Sequence, residues 1–371
     1  MASSKDIAAL QECVTNKLDD SAVGQNRVAG VIGDAPSHYS KSPQLWNAAF
    51  RHLGIPATYL PFDVDSAHVE QLLAVLKDSD RSMGVNVTVS HKVRVMDYLD
   101  ELDPEAERIR AVNTIVRSPS GRLIGYNSDG EGFIDSILLP QPNRKESFIA
   151  SLKGMNILLL GAGGSARAVA LHAAKLLGGG LLVICNRTLE HAAALAADVQ
   201  EAGGHALAIG EDALQAQASK AGLIINCTTK GQGGVRKLPD GTAFMLEPYS
   251  ALAPAHPPAF AESVLNNTDF ASTWRAAVAR DVDANNLISM ALARSIPSAV
   301  RFYDLIYHPE ETMFLRHGRL TGHPTMNGQA MIVNQAALAF CKRICRAELQ
   351  ARGIDTPETY KQILEVMYGA W

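Results

Sequence analysis

The sequence predicts an α/β protein of two domains, one of them a doubly wound parallel sheet. Three observations carry that expectation. Asn156 to Thr188, NILLLGAGGSARAVALHAAKLLGGGLLVICNRT, reads as strand, glycine turn, helix, strand. Short apolar runs alternate with helical spacing on both sides of it, from Val28 onward and again from Leu189 to Asn226. At 371 residues the chain has material for two cores rather than one.

The central stretch says most. Ile157–Leu160 is a continuous apolar run, too short for a buried helix, and suits a strand covered on both faces. Gly161, Ala162, Gly163, Gly164, Ser165 and Ala166 follow, and Ala168, Val169, Leu171, Ala174 and Leu177 then recur at helical spacing. After Gly178–Gly180 comes a second buried run, Leu181–Cys185. A backbone without Cβ lets a diphosphate approach amide N–H groups at the positive end of a helix. A bare G-x-G is a weak signal, but here it lies between a buried strand and an amphipathic helix, with Ala166 in place of the later glycine. The end of the second strand selects the cofactor. An NAD site places Asp or Glu there, whereas this chain has Asn186, Arg187 and Thr188. A carboxylate repels a ribose 2′-phosphate and a guanidinium holds it through two parallel hydrogen bonds, so NADP is expected over NAD. The plainer alternative makes Arg187 a solvated turn residue, with Glu190 just beyond it.

Composition narrows the rest. Hydrophobic residues make up 47% and charged residues 19%, with a net charge of −4, which describes a soluble globular protein and offers no footprint for nucleic acid. No apolar run approaches a membrane span, and the opening MASSKDIAALQ has no apolar core for a secretion signal. Cysteines stand at 13, 185, 227, 341 and 345. Cys341 and Cys345 are one helical turn apart, but no further pair completes a zinc set. The expectation is a cytoplasmic, metal-free monomer or homodimer with reduced thiols and a small-molecule partner, without membrane or nucleic acid.

In chain order, residues 1–26 read as a loose N-terminal helix or arm. Val28–Gly33 is a strand, and a loop of turn formers leads to a helix from Pro43 to about Leu53. Ser40 and Ser42 thus stand at a helix N-terminus, able to hold an anion or merely to cap. Thr58–Phe62 is a strand, Ser66–Lys77 a helix and Gly84–Val89 a third strand, after which Ser90, His91 and Lys92 open another helix. Asn86 and Thr88 alternate with Val85, Val87 and Val89, which suggests a polar cleft rather than a core. Residues 111–116 and 122–126 read as a hairpin, and Asn127, Ser128 and Asp129 cap the helix that follows. Beyond a polar linker at 140–153, Leu189–Ala202 is a helix, Ala206 marks a strand, Ala213–Ala218 a helix and Leu223–Asn226 a buried strand. Cys227-Thr-Thr-Lys-Gly231 then lies at a strand's carboxyl end, where cofactors bind in such sheets. The pattern weakens over 233–298, with helices expected near 270–280 and 284–295. Phe302–Ile306 is a strand and Gln329–Ala347 one long helix.

Several short motifs, in order, resemble the signatures of the shikimate dehydrogenase family. They are Ser40-Lys-Ser42-Pro43, Asn86-Val-Thr88-Val-Ser-His-Lys92, Ala111-Val-Asn113-Thr114, Asn127-Ser-Asp129-Gly-Glu-Gly132-Phe133, Asn186-Arg-Thr188, Asp304-Leu-Ile-Tyr307, and Asn327-Gly-Gln-Ala-Met331 with Gln335. The resemblance covers roughly residues 27–343. It implies a mostly parallel α/β substrate domain over 27–138 plus 326–371, and a Rossmann-type doubly wound NADP domain over 150–325. An insertion lies around 233–298, and a C-terminal helix returns to the first domain. It also implies reversible hydride transfer between NADPH and the 3-keto group of 3-dehydroshikimate. Lys92 and Asp129 match the family's catalytic pair, the ammonium serving as proton carrier and the carboxylate orienting it. Ser40 and Ser42 would hold a ring carboxylate, and Asn86, Thr88, Asn113 and Gln335 ring hydroxyls, with Tyr307 lining the cleft. Gly161–Ala166, Asn186–Thr188, Cys227 and Thr228 would hold the cofactor. Taken alone, Lys92 also fits a surface lysine and Asp129 an N-cap. Quinate or another cyclitol carboxylate is the alternative substrate, and a non-catalytic ligand sensor the alternative class, against which an intact Lys92 and Asp129 weigh. The chain departs from the family at Trp46, Ser90, Arg110 and Ser128, in a loop from Gly33 to Ser40 one residue longer, and at Cys227–Lys230. Trp46, Arg110 and Lys230 are expected at the surface, with reshaping of the substrate or cofactor site as the alternative.

Overall fold

The computed structural model describes residues 2–88, 91–142, 144–238, 240–261 and 270–371. Val89 and Ser90 lie outside the described residues, and so does part of the expected insertion. The chain divides into two compact units, Met1–Ser147 with Met331–Trp371, and Phe148–Ala330.

The first unit is built on a six-stranded sheet: β1 (Arg27–Gly33), β2 (Ala57–Asp63), β3 (Ser82–Val87), β4 (Glu101–Leu102), β5 (Thr114–Arg117) and β6 (Leu123–Tyr126). Its order is β2-β1-β3-β5-β6-β4, and β5 alone runs against the others. Pro61 is tolerated because β2 is an edge strand, where no ladder bond is lost. The N-terminal segment covers that edge: Asn16 Oδ1 accepts from Asp63 N at 2.8 Å, and Asn16 Nδ2 donates to the Pro61 carbonyl at 3.1 Å. The arm is therefore not loose. Ile7, Leu10 and Val14, at helical spacing on and just beyond the helix Ala2–Gln11, enter the core on one face of the sheet beside Leu72, Leu73 and Leu76.

The other face packs Trp46, Phe50 and Tyr59 against Phe340, Ile363 and Met367. Trp46 is fully buried, stacked on Tyr59 at 4.8 Å and tilted on Phe340 at 5.2 Å. It does not lie at the surface, contrary to expectation, because the helix Ser42–Leu53 turns Leu45, Trp46, Ala49 and Phe50 inward as one stripe. The single long helix expected over 329–347 is interrupted. Gln329–Ala339 passes into a π-helical turn, Phe340–Ile344, closed by Cys345 N donating to Phe340 O at 2.9 Å, and Arg346–Ala351 follows. The wide turn keeps Phe340, Cys341, Ile344 and Cys345 all facing the core. Two further details differ. Pro36–Tyr39 forms a helical turn inside the expected loop. After β3 the chain makes a turn and a 3₁₀ segment, Arg94–Tyr98, rather than a helix opening at Lys92.

The second unit carries six parallel strands: β7 (Ile157–Leu160), β8 (Leu182–Cys185), β9 (Ala206–Ile209) and β10 (Leu223–Asn226), then, beyond an antiparallel trio β11 (Val235–Lys237), β12 (Thr242–Met245) and β13 (Phe260–Ala261), β14 (Arg301–Asp304) and β15 (Thr325–Met326). The large sheet runs β15-β14-β10-β7-β8-β9, all parallel. Numbered within this sheet alone, that is the 3-2-1-4-5-6 order of dinucleotide folds, with its reversal between β7 and β10. Every residue of β7, β8 and β10 is buried, as uninterrupted apolar strands in a sheet covered on both faces should be. Within 233–298 the two expected helices are one, Phe270–Ser295. No glycine or proline interrupts this stretch, and its polar middle serves as a contact face. Asn285 is buried there and holds the carbonyls of Ser250, Ala253 and Pro254 at 2.9–3.1 Å.

Candidate active site

Lys92 sits in the turn after β3, which is pinned on two sides. His91 Nε2 meets the Val64 carbonyl at 2.8 Å, and the Lys92 carbonyl accepts from Val112 N at 2.7 Å. Lys92 Nζ lies 2.5 Å from Asp129 Oδ2, with the carboxylate buried and the lysine side chain 17% exposed. Asp129 is the first residue of the helix Asp129–Leu138. Its N–H donates to Asn127 Oδ1 at 3.0 Å, and its Oδ1 accepts from Asn113 Nδ2 at 2.8 Å. Asn113 gives its other amide proton to Ser128 Oγ at 3.0 Å and accepts from Ser128 N at 2.9 Å. Both amide protons of Asn113 are thus bonded to the start of this helix, one of them to Asp129 itself.

Asn86 and Thr88 are half-buried and alternate with the buried Val85 and Val87. Asn86 Nδ2 donates to Thr114 Oγ1 at 3.0 Å, and its Oδ1 accepts from Tyr59 Oη at 2.7 Å. Burial pushes the Tyr59 hydroxyl well above its ordinary range, which keeps it an O–H donor, and Ser42 also bonds to it. Ser40 Oγ accepts from Ser42 N at 3.2 Å. The loop bearing Ser40 is anchored by the buried Asp63, which takes Ser37 N at 2.8 Å. Gln335 closes the group. Its carbonyl accepts from Ser128 Oγ at 3.3 Å, and its Oε1 is buried with no hydrogen-bond partner among the described residues. The approach is so close that a Cβ on Gly132 would fall 2.8 Å from Gln335 N. Ser42, Asn86, Lys92, Asn113, Asp129 and Gln335 are therefore joined by one polar network, to which Ser40 and Thr88 are adjacent in chain. Tyr59 was not among the sequence candidates, since a strand tyrosine gives no sign of which neighbour its hydroxyl will meet.

Arg110 is exposed and closes the helix Pro104–Ile109 at φ 56°. That left-handed conformation is one that glycine adopts at lower cost.

In the second unit, Gly161 has φ 105° and lets the turn after β7 come against the next loop, since a Cβ there would meet the Cys227 carbonyl at 3.2 Å. Gly163 precedes the helix Gly164–Leu176 without a side-chain cap, and a Cβ on it would meet nothing within 4 Å. Ala162, Gly164 and Ser165 are half-buried along this turn. Ala166 is fully buried in the first turn of the helix. At the end of β8, Asn186 Nδ2 holds the Thr188 carbonyl at 2.8 Å, and Arg187 is exposed, making no hydrogen bond or ion pair among the described residues. Thr228 N and Oγ1 both donate to Asn226 Oδ1, at 2.9 and 2.7 Å. Asn226 Nδ2 in turn meets Asp304, which also takes Thr312 Oγ1 at 2.6 Å and Ile306 N at 2.9 Å. Burial pushes the Asp304 carboxyl up to about 7 against these bonds. Lys230 is not at the surface, since Nζ pairs with Glu211 Oε1 at 2.6 Å and with the Ala253 carbonyl at 2.8 Å. Tyr307 is half-buried, and burial pushes its hydroxyl up to about 12.

Among the described residues no cluster of His, Cys, Asp or Glu is set to hold a metal ion, and no helix is long and apolar enough to cross a membrane. A parallel sheet of this order, with a glycine turn and an uncapped helix at its reversal point, defines a dinucleotide-binding protein. Residues 31–115 match the family described as the shikimate dehydrogenase substrate binding domain, and residues 144–237 the one described as shikimate / quinate 5-dehydrogenase. A shikimate dehydrogenase (NADP(+)) of Symbiobacterium thermophilum is 35% identical over 87% of this chain and 91% of its own length. One from Desulforamulus reducens is 34% identical over 85% and 89%. The crystal structure of shikimate 5-dehydrogenase from Thermus thermophilus, in complex with NADP(H) and shikimate, superposes with a TM-score of 0.61 at 26% identity, covering 93% of this chain and 100% of that one. The chain belongs to the shikimate dehydrogenase family.

Proposed function

We propose that this chain interconverts shikimate and 3-dehydroshikimate with NADP as cofactor. The observation that carries the reading is the Lys92–Asp129 pair at 2.5 Å, its carboxylate buried and its ammonium reaching the more open end of a polar network. The cofactor set fits the same reading. The first-turn N–H groups of Gly164–Leu176 suit a diphosphate, and Arg187, with no carboxylate at the end of β8, suits a 2′-phosphate. Bound NADP supplies the hydride acceptor, or when reduced the donor. Lys92 Nζ passes a proton to the developing alkoxide during reduction and takes one from the alcohol during oxidation, while Asp129 holds the ammonium in place. Asn113 and Asn127 fix Asp129. Ser40 and Ser42 hold the ring carboxylate, and Asn86, Thr88 and Gln335 the ring hydroxyls. The buried, unpartnered Oε1 of Gln335 is an acceptor that a ring hydroxyl would satisfy. Tyr307 lines the cleft, and Cys227 and Thr228 border the cofactor. Residues 1–147 with 331–371 form the substrate domain in this reading, and 148–330 the NADP domain. None of the five cysteines forms a disulfide, in keeping with a reducing cytoplasm, where the enzyme works as monomer or homodimer.

The test is a panel of cyclic hydroxy acids with both nicotinamides. Shikimate with NADP⁺ should give the highest kcat/KM, ahead of quinate, because the second anchoring residue is Ser42 and not a bulkier threonine. No turnover of shikimate alongside turnover of another acid would overturn the reading.

A further inference from the structure

Glu211 follows β9 at the carboxyl edge of the second unit's sheet, next to the end of β8 that carries Arg187. The proximity is explicit. Asn186 N bonds to the Ile209 carbonyl at 3.2 Å, and Cys185 Sγ lies 3.6 Å from the Gly210 carbonyl. Burial pushes the Cys185 thiol up to about 12, with Glu211 raising it further and Lys230 opposing, so both charges are felt at the last residue of β8. Cys185 and Arg187 are two residues apart, at most ~7 Å of extended chain. A carboxylate whose charge is felt at the end of β8 works against a phosphate held by Arg187 from that same strand end. Asp212 adds a second negative charge. Lys230 comes from the far side of the reversal point, after β10, and reaches Glu211 at 2.6 Å with only 15% of its side chain exposed. Its aim is fixed on three sides. Nζ also donates to the Ala253 carbonyl at 2.8 Å, that carbonyl is held by Asn285 at 3.1 Å, and the Lys230 backbone is tied to Asn226 and Thr228 at 3.1 Å each.

We propose that Lys230 is a specificity-determining residue for the phosphorylated dinucleotide: it neutralises Glu211 so that Arg187 can hold a 2′-phosphate. The segment around Ala253 and the helix bearing Asn285 thereby have a role, since they aim the ammonium at Glu211. The inference rests on the NADP reading and deepens it.

The test uses adenosine 2′,5′-bisphosphate and 5′-AMP, titrated calorimetrically into the full chain at low ionic strength, beside kcat/KM for NADP⁺ and NAD⁺. Lys230→Met should weaken the bisphosphate about tenfold and leave 5′-AMP within twofold. Lys230→Arg should retain the preference, and Glu211→Gln added to Lys230→Met should restore it. A purely bracing role predicts equal losses for both nucleotides and no rescue by Glu211→Gln, and either result overturns the proposal. Wild-type protein that does not prefer the bisphosphate removes the NADP reading itself. Wild-type preference that survives in Lys230→Met removes only the role of Lys230.

Discussion

The two units prepare for their ligands in opposite ways. In the first, side chains are already bonded to side chains: Lys92 to Asp129, Asp129 to Asn113, Asn86 to Thr114 and Tyr59. In the second, the approach to the ligand is mostly backbone, a bare glycine turn and an uncapped helix start, with Arg187 free in solvent among the described residues. A ring of hydroxyls is discriminated by oriented donors and acceptors, which must be fixed before it arrives. A diphosphate needs only N–H groups and positive potential. Single substitutions should therefore hit harder in the first unit than in the second.

The largest expected effect tests that contrast directly. Lys92→Ala should lower kcat by at least ~10²-fold, the usual scale for a general acid–base group, while the KM for shikimate changes far less. Near-normal turnover would remove Lys92 from the chemistry and level the contrast. Arg187→Ala should weaken NADPH several-fold and leave NADH nearly unchanged, as measured by fluorescence titration. Equal losses would make Arg187 a support of the fold.

Asp304 is an exception within the second unit, a buried carboxyl on which the loop after β10 depends. Its folded-state value of about 7 stands above the ordinary carboxyl value near ~3.9. Between those values the folded state binds more protons, so this group's contribution to stability falls as pH rises from about 4 to about 7. Wild type should lose a few °C of Tm across that window relative to Asp304→Asn, read by paired melts at pH 5 and pH 8. Parallel pH profiles for the two proteins would sink the idea.

The smallest effect belongs to Arg110. Arg110→Gly removes a left-handed non-glycine residue and should leave shikimate turnover within about twofold while gaining up to ~1 kcal/mol in urea unfolding. A large gain in turnover would instead place the guanidinium at the substrate.

Much of this was legible in the sequence because the central strands carry uninterrupted apolar runs, and Ile157–Leu160, Leu182–Cys185 and Leu223–Ile225 announce themselves. The glycine turn and the Asn186–Thr188 end are equally local. What stayed hidden depends on tertiary partners. Trp46 reads as a surface residue until Tyr59 and Phe340 are seen around it. The helix Phe270–Ser295 looks broken at its Asp- and Asn-rich middle until the 250–254 carbonyls are seen to need Asn285. Lys230 resembles a surface lysine until Glu211, nineteen residues earlier, is found against it.

The first unit is assembled from two separated stretches of chain, with Phe340, Ile363 and Met367 completing the core around Trp46, and Gln335 completing the polar network. During synthesis the second unit, contiguous from Phe148 to Ala330, leaves the ribosome with every strand of its sheet present. The first must wait with an aromatic face uncovered until residues 331–371 emerge. The unit bearing Lys92 and Asp129 is thus begun first and finished last, and a nascent chain stalled before Gln335 would expose Trp46 and Phe50 to chaperones and proteases.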